Sequence, residues 1–507
     1  MRDSEHPLRL LGEAIESVQF SQSESRVDAR PRVGIVLSQA AMWVCGSHLP
    51  AIAQLIAREI DMRGGCGLVL HTTAPCDGAY FVRGQGGCLP QSFEDIVSNV
   101  RQAVAGHALD ALILLSSCDT TVPAHIVAAV RANVPALMLA GGYQSPGVHQ
   151  GRRTDLMEVY EAFGATLTGK LSEGDFKSMA RHCVSGPGVC PGLGTASTMQ
   201  MAIEALGLAA VGNSPVAGGS DRLREQARNI AHRIFDAVGR NATPRRIISA
   251  AAIEDAVSVI LGMGGAPSSI GFLQRVADEL SLTDSEGQAL DVRCLVERLG
   301  EKVRQICFVG PAGDHAIEDL EAAGGAAQVM KRLVPVLSLD RPSAADCTFR
   351  SGIDAVPYVA TDFFHGQDAG GPGSDPGLVI MRGNLAPDGG IARPAASTMA
   401  RRRFVGTALL FSNAAEAYEA LADGRIRPGL VVVIRGAGIE DFACALHGAG
   451  LSGHVAVISD GGYSGLSRGL VVGFIRPAAV DGGPLRAVAD GDQIAVDLDR
   501  RVVERLE

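Results

Sequence analysis

Aromatic residues are scarce in this chain: they make up 4% of its 507 residues, with a single Trp. A core without many large rings has to rest on Ala, Val, Leu and Ile, while the 62 glycines supply loops whose backbone can approach a ligand closely. Long apolar runs are missing too. No stretch of roughly 18 uncharged apolar residues occurs, and the N-terminus MRDSEHPLRLLGEAIESVQFSQSESRVDAR is charged where a signal peptide needs an apolar segment. A cytoplasmic protein without membrane contact is expected. Basic clusters are also absent: 45 Lys+Arg against 55 Asp+Glu leaves a net charge of −10, which argues against nucleic acid as a partner and for a small-molecule role. The 11 cysteines are an odd number without regular spacing, which argues against a disulfide framework and leaves metal ligation, catalysis or core packing.

A hydrophobic content of 47% over this length is enough for a large core and too much chain for a single one, so two domains are expected. Four short apolar runs, RVGIVLS (32–38), CGLVLHTT (66–73), ALILLSS (111–117) and VPALMLAGG (134–142), alternate with helical stretches such as LPAIAQLIAREIDMRG. That alternation predicts a parallel α/β layer. Helical periodicity continues over 198–212, 221–238, 250–262 and 316–334. Between 337 and 376 the pattern dissolves into Gly, Pro and Asp, the composition of a connecting loop. Beyond it GLVIMR, GTALLFS, GLVVVIRG, HVAVISD, GLVVGFI and QIAVDLD are closely spaced strand candidates with one clear helix, AAEAYEALADG. The fold expected is α/β: an extension over 1–30, a parallel-sheet domain with a helical middle over 31–336, the loop 337–376, and a β-barrel-like domain over 377–507.

Ligands of open α/β sheets bind beyond the carboxyl ends of the strands, so the residues following each run matter most. The first run leads to Cys45, the second to Cys76-Asp77-Gly78, the third to Cys118-Asp119, and HVAVISD leads to GGYSG with Ser464. Cys190 sits in a glycine-rich turn, GPGVCPGLGTAS. A lone cysteine is more often a small buried hydrophobe than a ligand. Several at strand ends, two of them beside a carboxylate, suit an iron–sulfur cluster next to a hard-cation site, because soft sulfur holds iron and carboxylate oxygen holds Mg²⁺.

At these residues a family likeness enters. CDG (76–78), SCDTTVPA (117–124), GVCPGLGTASTM (188–199), EALGL (204–208), EDLEAAGGAAQVMKRL (318–333), GNLAPDG (383–389) and DGGYSGLSRGL (460–470) resemble, in order, the signature blocks of the dihydroxy-acid dehydratase and 6-phosphogluconate dehydratase family. The resemblance implies a cluster held by Cys45, Cys118 and Cys190, [2Fe–2S] in preference to [4Fe–4S], with one iron open for substrate. It implies Mg²⁺ on Asp77 and Asp119 with a further carboxylate from Glu440 or Asp441, Ser464 as the catalytic base, and a homodimer or homotetramer. The activity implied is dehydration of a 2,3-dihydroxy acid or sugar acid to a 2-keto acid.

Departures from the family pattern are equally specific. Thr120 stands where the family has a lysine that becomes carbamylated, so the Mg²⁺ site loses a negative charge. In GGAPSSIGFL (264–273), Ser268 and Phe272 replace an amide and an imidazole; Phe474 replaces a second histidine. QSFE (91–94) lacks the family's arginine, the natural clamp for carboxylate or phosphate. Two functions remain open: a dehydratase with a non-standard substrate, which Ser464 favours, or a cluster-bearing non-catalytic or regulatory homologue that needs a partner, which Thr120 favours.

Overall fold

The computed structural model describes residues 30–38, 43–73, 76–366, 375–397, 402–436, 438–439 and 441–506. Strands β1 (Arg32–Leu37), β2 (Cys66–His71), β3 (Ala111–Ser116) and β4 (Ala136–Ala140) form a parallel sheet in the order β2-β1-β3-β4. Their sequences are continuous apolar runs, which suits strands covered on both faces: β3 is buried at every position and β1 at all but its first. Ile35 of β1 lies between Val69 and Ile113. The Leu49–Met62 helix rests on β1 and β2, close enough at Gly67 that a Cβ there would stand 2.8 Å from the Ala57 Cα.

The middle of the chain is helical, as expected, and is organised around the Thr195–Ala205 helix, buried at all 11 positions. Helices Ala250–Met263, Ser268–Glu279 and Gly325–Leu333 pack against it. Two periodic stretches are shorter than their patterns suggest. The 198–212 stretch leaves the helix at Leu206, and Gly207 follows with φ +80°. The 316–334 stretch is broken into Ile317–Ala322 and Gly325–Leu333 by Gly324 and Gly325, both with positive φ; a Cβ on Gly325 would lie 2.3 Å from the Ser214 carbonyl oxygen. The 337–376 segment carries a helix of its own, Phe349–Ala355, capped by the Thr348 hydroxyl, which accepts from the Ser351 N–H.

The C-terminal part is a closed eight-stranded barrel. Around it run Leu430–Ile434, Ala456–Ser459, Val471–Gly473, Ala386–Ala392, Val379–Gly383, Val502–Arg505, Gln493–Asp497 and Arg403–Phe411, the last closing on the first. Closure leaves no exposed strand edge. Ala386–Ala392 (APDGGIA) did not read as a strand because Pro and two glycines interrupt its apolar pattern. The barrel domain is locked to the N-terminal one by backbone contact between the Leu156–Leu167 and Phe442–Gly448 helices: a Cβ on Gly164 would stand 1.7 Å from the Ala445 oxygen, and one on Gly448 1.6 Å from the Glu161 oxygen. That crossing sets Asp441, directly before the second helix, against the cysteine-bearing strand ends.

Candidate active site

All four strands run parallel, but the direction in which the chain winds across the sheet reverses at β1, since it goes from β1 to β2 on one flank and then to β3 on the other. This is the switch point where α/β sheets bind ligands. Cys45 and Cys118 follow the two strands that border it, and Cys76 follows β2. Cys190 arrives from further off: Tyr143, just past β4, pairs with Val189, and Gly188 (φ +127°) permits it, because a Cβ there would lie 2.3 Å from the Tyr143 carbonyl carbon.

All four cysteines line one cavity of about 540 Å³, together with Asp77, Asp119, Asp441 and Ser464. The sulfurs of Cys45, Cys76 and Cys118 lie within 4.8 Å of one another. Hydrogen bonds from the Cys118 and Cys45 thiols pull the Cys76 thiol down to about 3. Cys190 is in the cavity wall but outside that close trio; its thiol is pushed well up by burial and by the charge of Asp119. Glu440 lies outside the described residues, so of the two carboxylates expected there Asp441 is the one seen facing the cavity.

The three aspartates converge, the charges of Asp77 and Asp441 both acting on Asp119. Burial pushes Asp77 up to about 7, against a hydrogen bond that the Thr120 hydroxyl donates to its Oδ2 at 2.7 Å. Burial and the charge of Asp77 raise Asp119 well above the carboxylate range, with the Ala196 N–H pulling it back. Asp441 is raised by burial, opposed by the Ser464 hydroxyl, which donates to it. The other Asp77 oxygen, Oδ1, is buried with no hydrogen-bond partner among the described residues, as are Ser197 Oγ and Gln144 Oε1 in the same wall. Buried polar atoms are normally satisfied, so these orphans point to a ligand. An oxygen-seeking divalent cation beside a thiolate-bound cluster fits this donor set.

Ser464 is positioned by a tight approach of the two domains. A Cβ on Gly465 would lie 2.8 Å from Thr195 N and Gly194 Cα, so the serine loop sits on the N-terminus of the Thr195–Ala205 helix, whose partial positive charge favours an anion. The Leu466 N–H donates to Ser464 Oγ at 3.2 Å. Arg393, buried, ties the loop down: its guanidinium donates to the carbonyls of Gly465 (2.8 Å), Leu193 (2.9 Å) and Gly265 (3.1 Å).

Sequence reasoning did not reach Tyr160, Gln144, Ser197 or Arg393. The Tyr160 hydroxyl, raised by burial, faces the cavity from the Leu156–Leu167 helix. An amphipathic helical tyrosine gives no signal of its own in a sequence, and the pairing of helices across domains that turns it inward is a long-range contact. Arg275 escaped for a similar reason. It ion-pairs with Glu94 and lies 3.6 Å over the Phe93 ring, so a cation from the Ser268–Glu279 helix reaches the wall where QSFE lacks its arginine. Ser268, Phe272 and Arg275 all line the cavity, at helical spacing i, i+4, i+7. Phe474 faces it too, held at φ +54° with its carbonyl accepting from Arg293 at 2.9 Å.

Comparison with known proteins finds two family models along the chain: Dihydroxy-acid/6-phosphogluconate dehydratase N-terminal over residues 30–351 and the corresponding C-terminal model over 371–506. The dihydroxy-acid dehydratase of Methanothermobacter thermautotrophicus is 34% identical over 484 residues, covering 94% of this chain and 87% of that protein. Those of Aquifex aeolicus (32% identical; 94% of this chain, 86% of the relative) and Halothermothrix orenii (33%; 92% and 86%) are similar at nearly the same level.

Proposed function

The chain belongs to the dihydroxy-acid/6-phosphogluconate dehydratase family, and from that premise we propose that it is a hydro-lyase converting a 2,3-dihydroxy acid with an apolar side chain to a 2-keto acid. The observation that carries this is the convergence of Ser464, three aspartates and four cysteines on one cavity whose remaining wall is largely aromatic and aliphatic. Cys45, Cys118 and Cys190 would hold an iron–sulfur cluster, and Asp77, Asp119 and Asp441 would hold Mg²⁺. Bound there, the two groups supply Lewis acidity, to the departing hydroxyl and to the carboxylate and neighbouring hydroxyl of the substrate.

The protein's own residues do the rest. Ser464, over the helix N-terminus, passes its hydroxyl proton to Asp441, whose carboxyl is raised by burial and accepts its hydrogen bond, and then takes the proton from C2, the carbon beside the carboxylate; the helix dipole stabilises the oxyanion formed in between. Leaving of the C3 hydroxyl gives an enol, which rearranges to the keto acid. Water is kept from the enol by the apolar lining: Phe81, Leu89, Phe272 and Phe474 offer no hydrogen bond to a chain of hydroxyls. Phe272 and Phe474, at the positions where the resemblance implies imidazoles, therefore select against sugar acids. Arg275 keeps a cation at the far end of the Ser268–Glu279 stripe, about 10 Å of helix rise from Ser268.

The test is anaerobic purification with iron and sulfide analysis, followed by a screen for 2-keto acid formation. Alkyl- or aryl-substituted 2,3-dihydroxy acids should exceed sugar acids in kcat/KM by at least about tenfold, the scale of a few apolar contacts. A preference for sugar acids would overturn the substrate class, and a cluster-bearing protein inert on every acid would favour the regulatory reading.

Thr120 makes a separate expectation. Its hydroxyl is spent on Asp77 and carries no charge, so the cation has one anionic ligand fewer than the resemblance implies. Mg²⁺ tolerates water in its shell, so binding weakens without vanishing. Activity should depend on Mg²⁺ in about the millimolar range, and Asp119→Asn should abolish that dependence. Turnover indifferent to Mg²⁺ and to chelators in metal-free protein would rule out the Mg²⁺-assisted route.

A further inference from the structure

Cys76 is unaccounted for by the three-cysteine ligand set, yet its sulfur is nearer to those of Cys45 and Cys118 than the set requires. Two sulfurs each about 2.3 Å from one metal atom stand at most about 4.6 Å apart. The three sulfurs of Cys45, Cys76 and Cys118 lie within 4.8 Å of one another, so Cys76 stands from either of the other two about as far as two thiolates that share one iron. Cys190 completes the wall around them. Three different strand ends deliver the trio, which makes the convergence a property of the sheet and not of one local turn.

We infer that Cys76 is a fourth thiolate ligand of the cluster. The inference rests on the cluster reading above and extends it. Four thiolates match the protein ligands of a cluster bound wholly by cysteine. Because the proposed dehydration needs an iron position facing the substrate hydroxyl, Cys76 is the ligand that yields. Its thiolate would give up the iron to the substrate hydroxyl, one ligand exchanged for another with no change in oxidation state, and would stay beside Asp77. Neighbouring thiolate and carboxylate then sit where the cluster and the Mg²⁺ site meet, and one short segment serves both.

The experiment uses the full chain, reconstituted anaerobically with iron and sulfide, as wild type, Cys76→Ser and Cys76→Ala. Iron and sulfide content, visible absorption, the EPR spectrum of the reduced cluster and the rate of iron loss to a chelator are read, with thermal melting as the control for folding. Changes even in groups around a metal's ligands cost about 10–100-fold in affinity, so loss of a ligand should speed iron loss at least about tenfold. Cys76→Ser should also shift the EPR spectrum. A second reading needs no variant: alkylation of wild-type protein followed by mass spectrometry. Cys76 should be protected in the iron-loaded protein and labelled once iron is removed, while exposed Cys88, Cys294 and Cys347 label in both states. If wild type holds a cluster but Cys76 labels equally in both states, or both variants keep wild-type spectra and iron retention, Cys76 is not a ligand and the three-cysteine reading stands. If wild type takes up no iron and sulfide, the cluster reading fails and the Cys76 assignment with it.

Discussion

Replacing Ser464 with alanine is expected to lower kcat by at least about 10²-fold while leaving fold, iron content and KM nearly unchanged, the usual consequence of removing a positioned general base. Its hydroxyl donates to Asp441, its oxygen accepts from the Leu466 N–H, and the loop that carries it is pinned to the start of the Thr195–Ala205 helix. Alanine keeps that backbone and loses one weak acceptor, a cost of about 1 kcal/mol to the loop. The chemistry loses more. Exchange of the substrate's C2 hydrogen with solvent deuterium, followed by NMR under turnover conditions, isolates the proton-transfer step: it should disappear in Ser464→Ala together with keto-acid formation. Near-normal exchange and turnover would show Ser464 to be an ordinary turn residue and move the base to another group in the wall, such as the Tyr160 hydroxyl.

The strand ends were legible because buried parallel strands are short continuous apolar runs and because chemistry in such sheets sits just beyond them; Cys45, Asp77, Cys118 and Asp119 follow directly from that. Ser464 also follows a strand run, HVAVISD, but only the DGGYSGLSRGL block gives it a role, since a serine in a glycine turn is otherwise unremarked. Some blocks turn out to be structural. Buried Glu204 of EALGL accepts the N–H groups of Gly212 and Ser214, and Asp460 of DGGYSG accepts those of Gly436 and Ala479. What stayed hidden depends on distant pairings. The arginine missing at QSFE is replaced from 181 residues away, by Arg275 bonding Glu94, and no local pattern encodes that. Barrel strand Ala386–Ala392 stayed hidden because its register, with Ile391 opposite Ile380 and Gly473, is set by partners rather than by its own Pro- and Gly-rich sequence.

Arg393→Met is expected to be the most damaging substitution away from the reacting atoms. The guanidinium is 4% exposed and spans three carbonyls, Leu193 of the Cys190 turn, Gly265 before the Ser268–Glu279 helix, and Gly465 of the serine loop. No carboxylate among the described residues is bonded to it; burial lowers it to about 10, so it still carries its charge at neutral pH. Burying that charge costs free energy, and three charge-assisted bonds offset it. Methionine fills much of the volume and removes the burial cost, but it strands three buried acceptors at about 1–3 kcal/mol each. The net expectation is destabilisation of about 3 kcal/mol, or a melting temperature lower by roughly 6–12 °C at about 2–4 °C per kcal/mol for larger domains. Lysine should rescue little, because a point-charge ammonium cannot reach three diverging carbonyls at once. In protein that stays folded at low temperature, kcat should fall more than KM rises, since the loop carrying Ser464 loosens while the aspartates, held from other elements, would still hold the cation that binds substrate. Melting curves and steady-state kinetics on Arg393→Met and Arg393→Lys decide the matter. A Met variant with wild-type melting temperature and turnover would mean that the serine loop holds its place through the close packing of Gly465 alone.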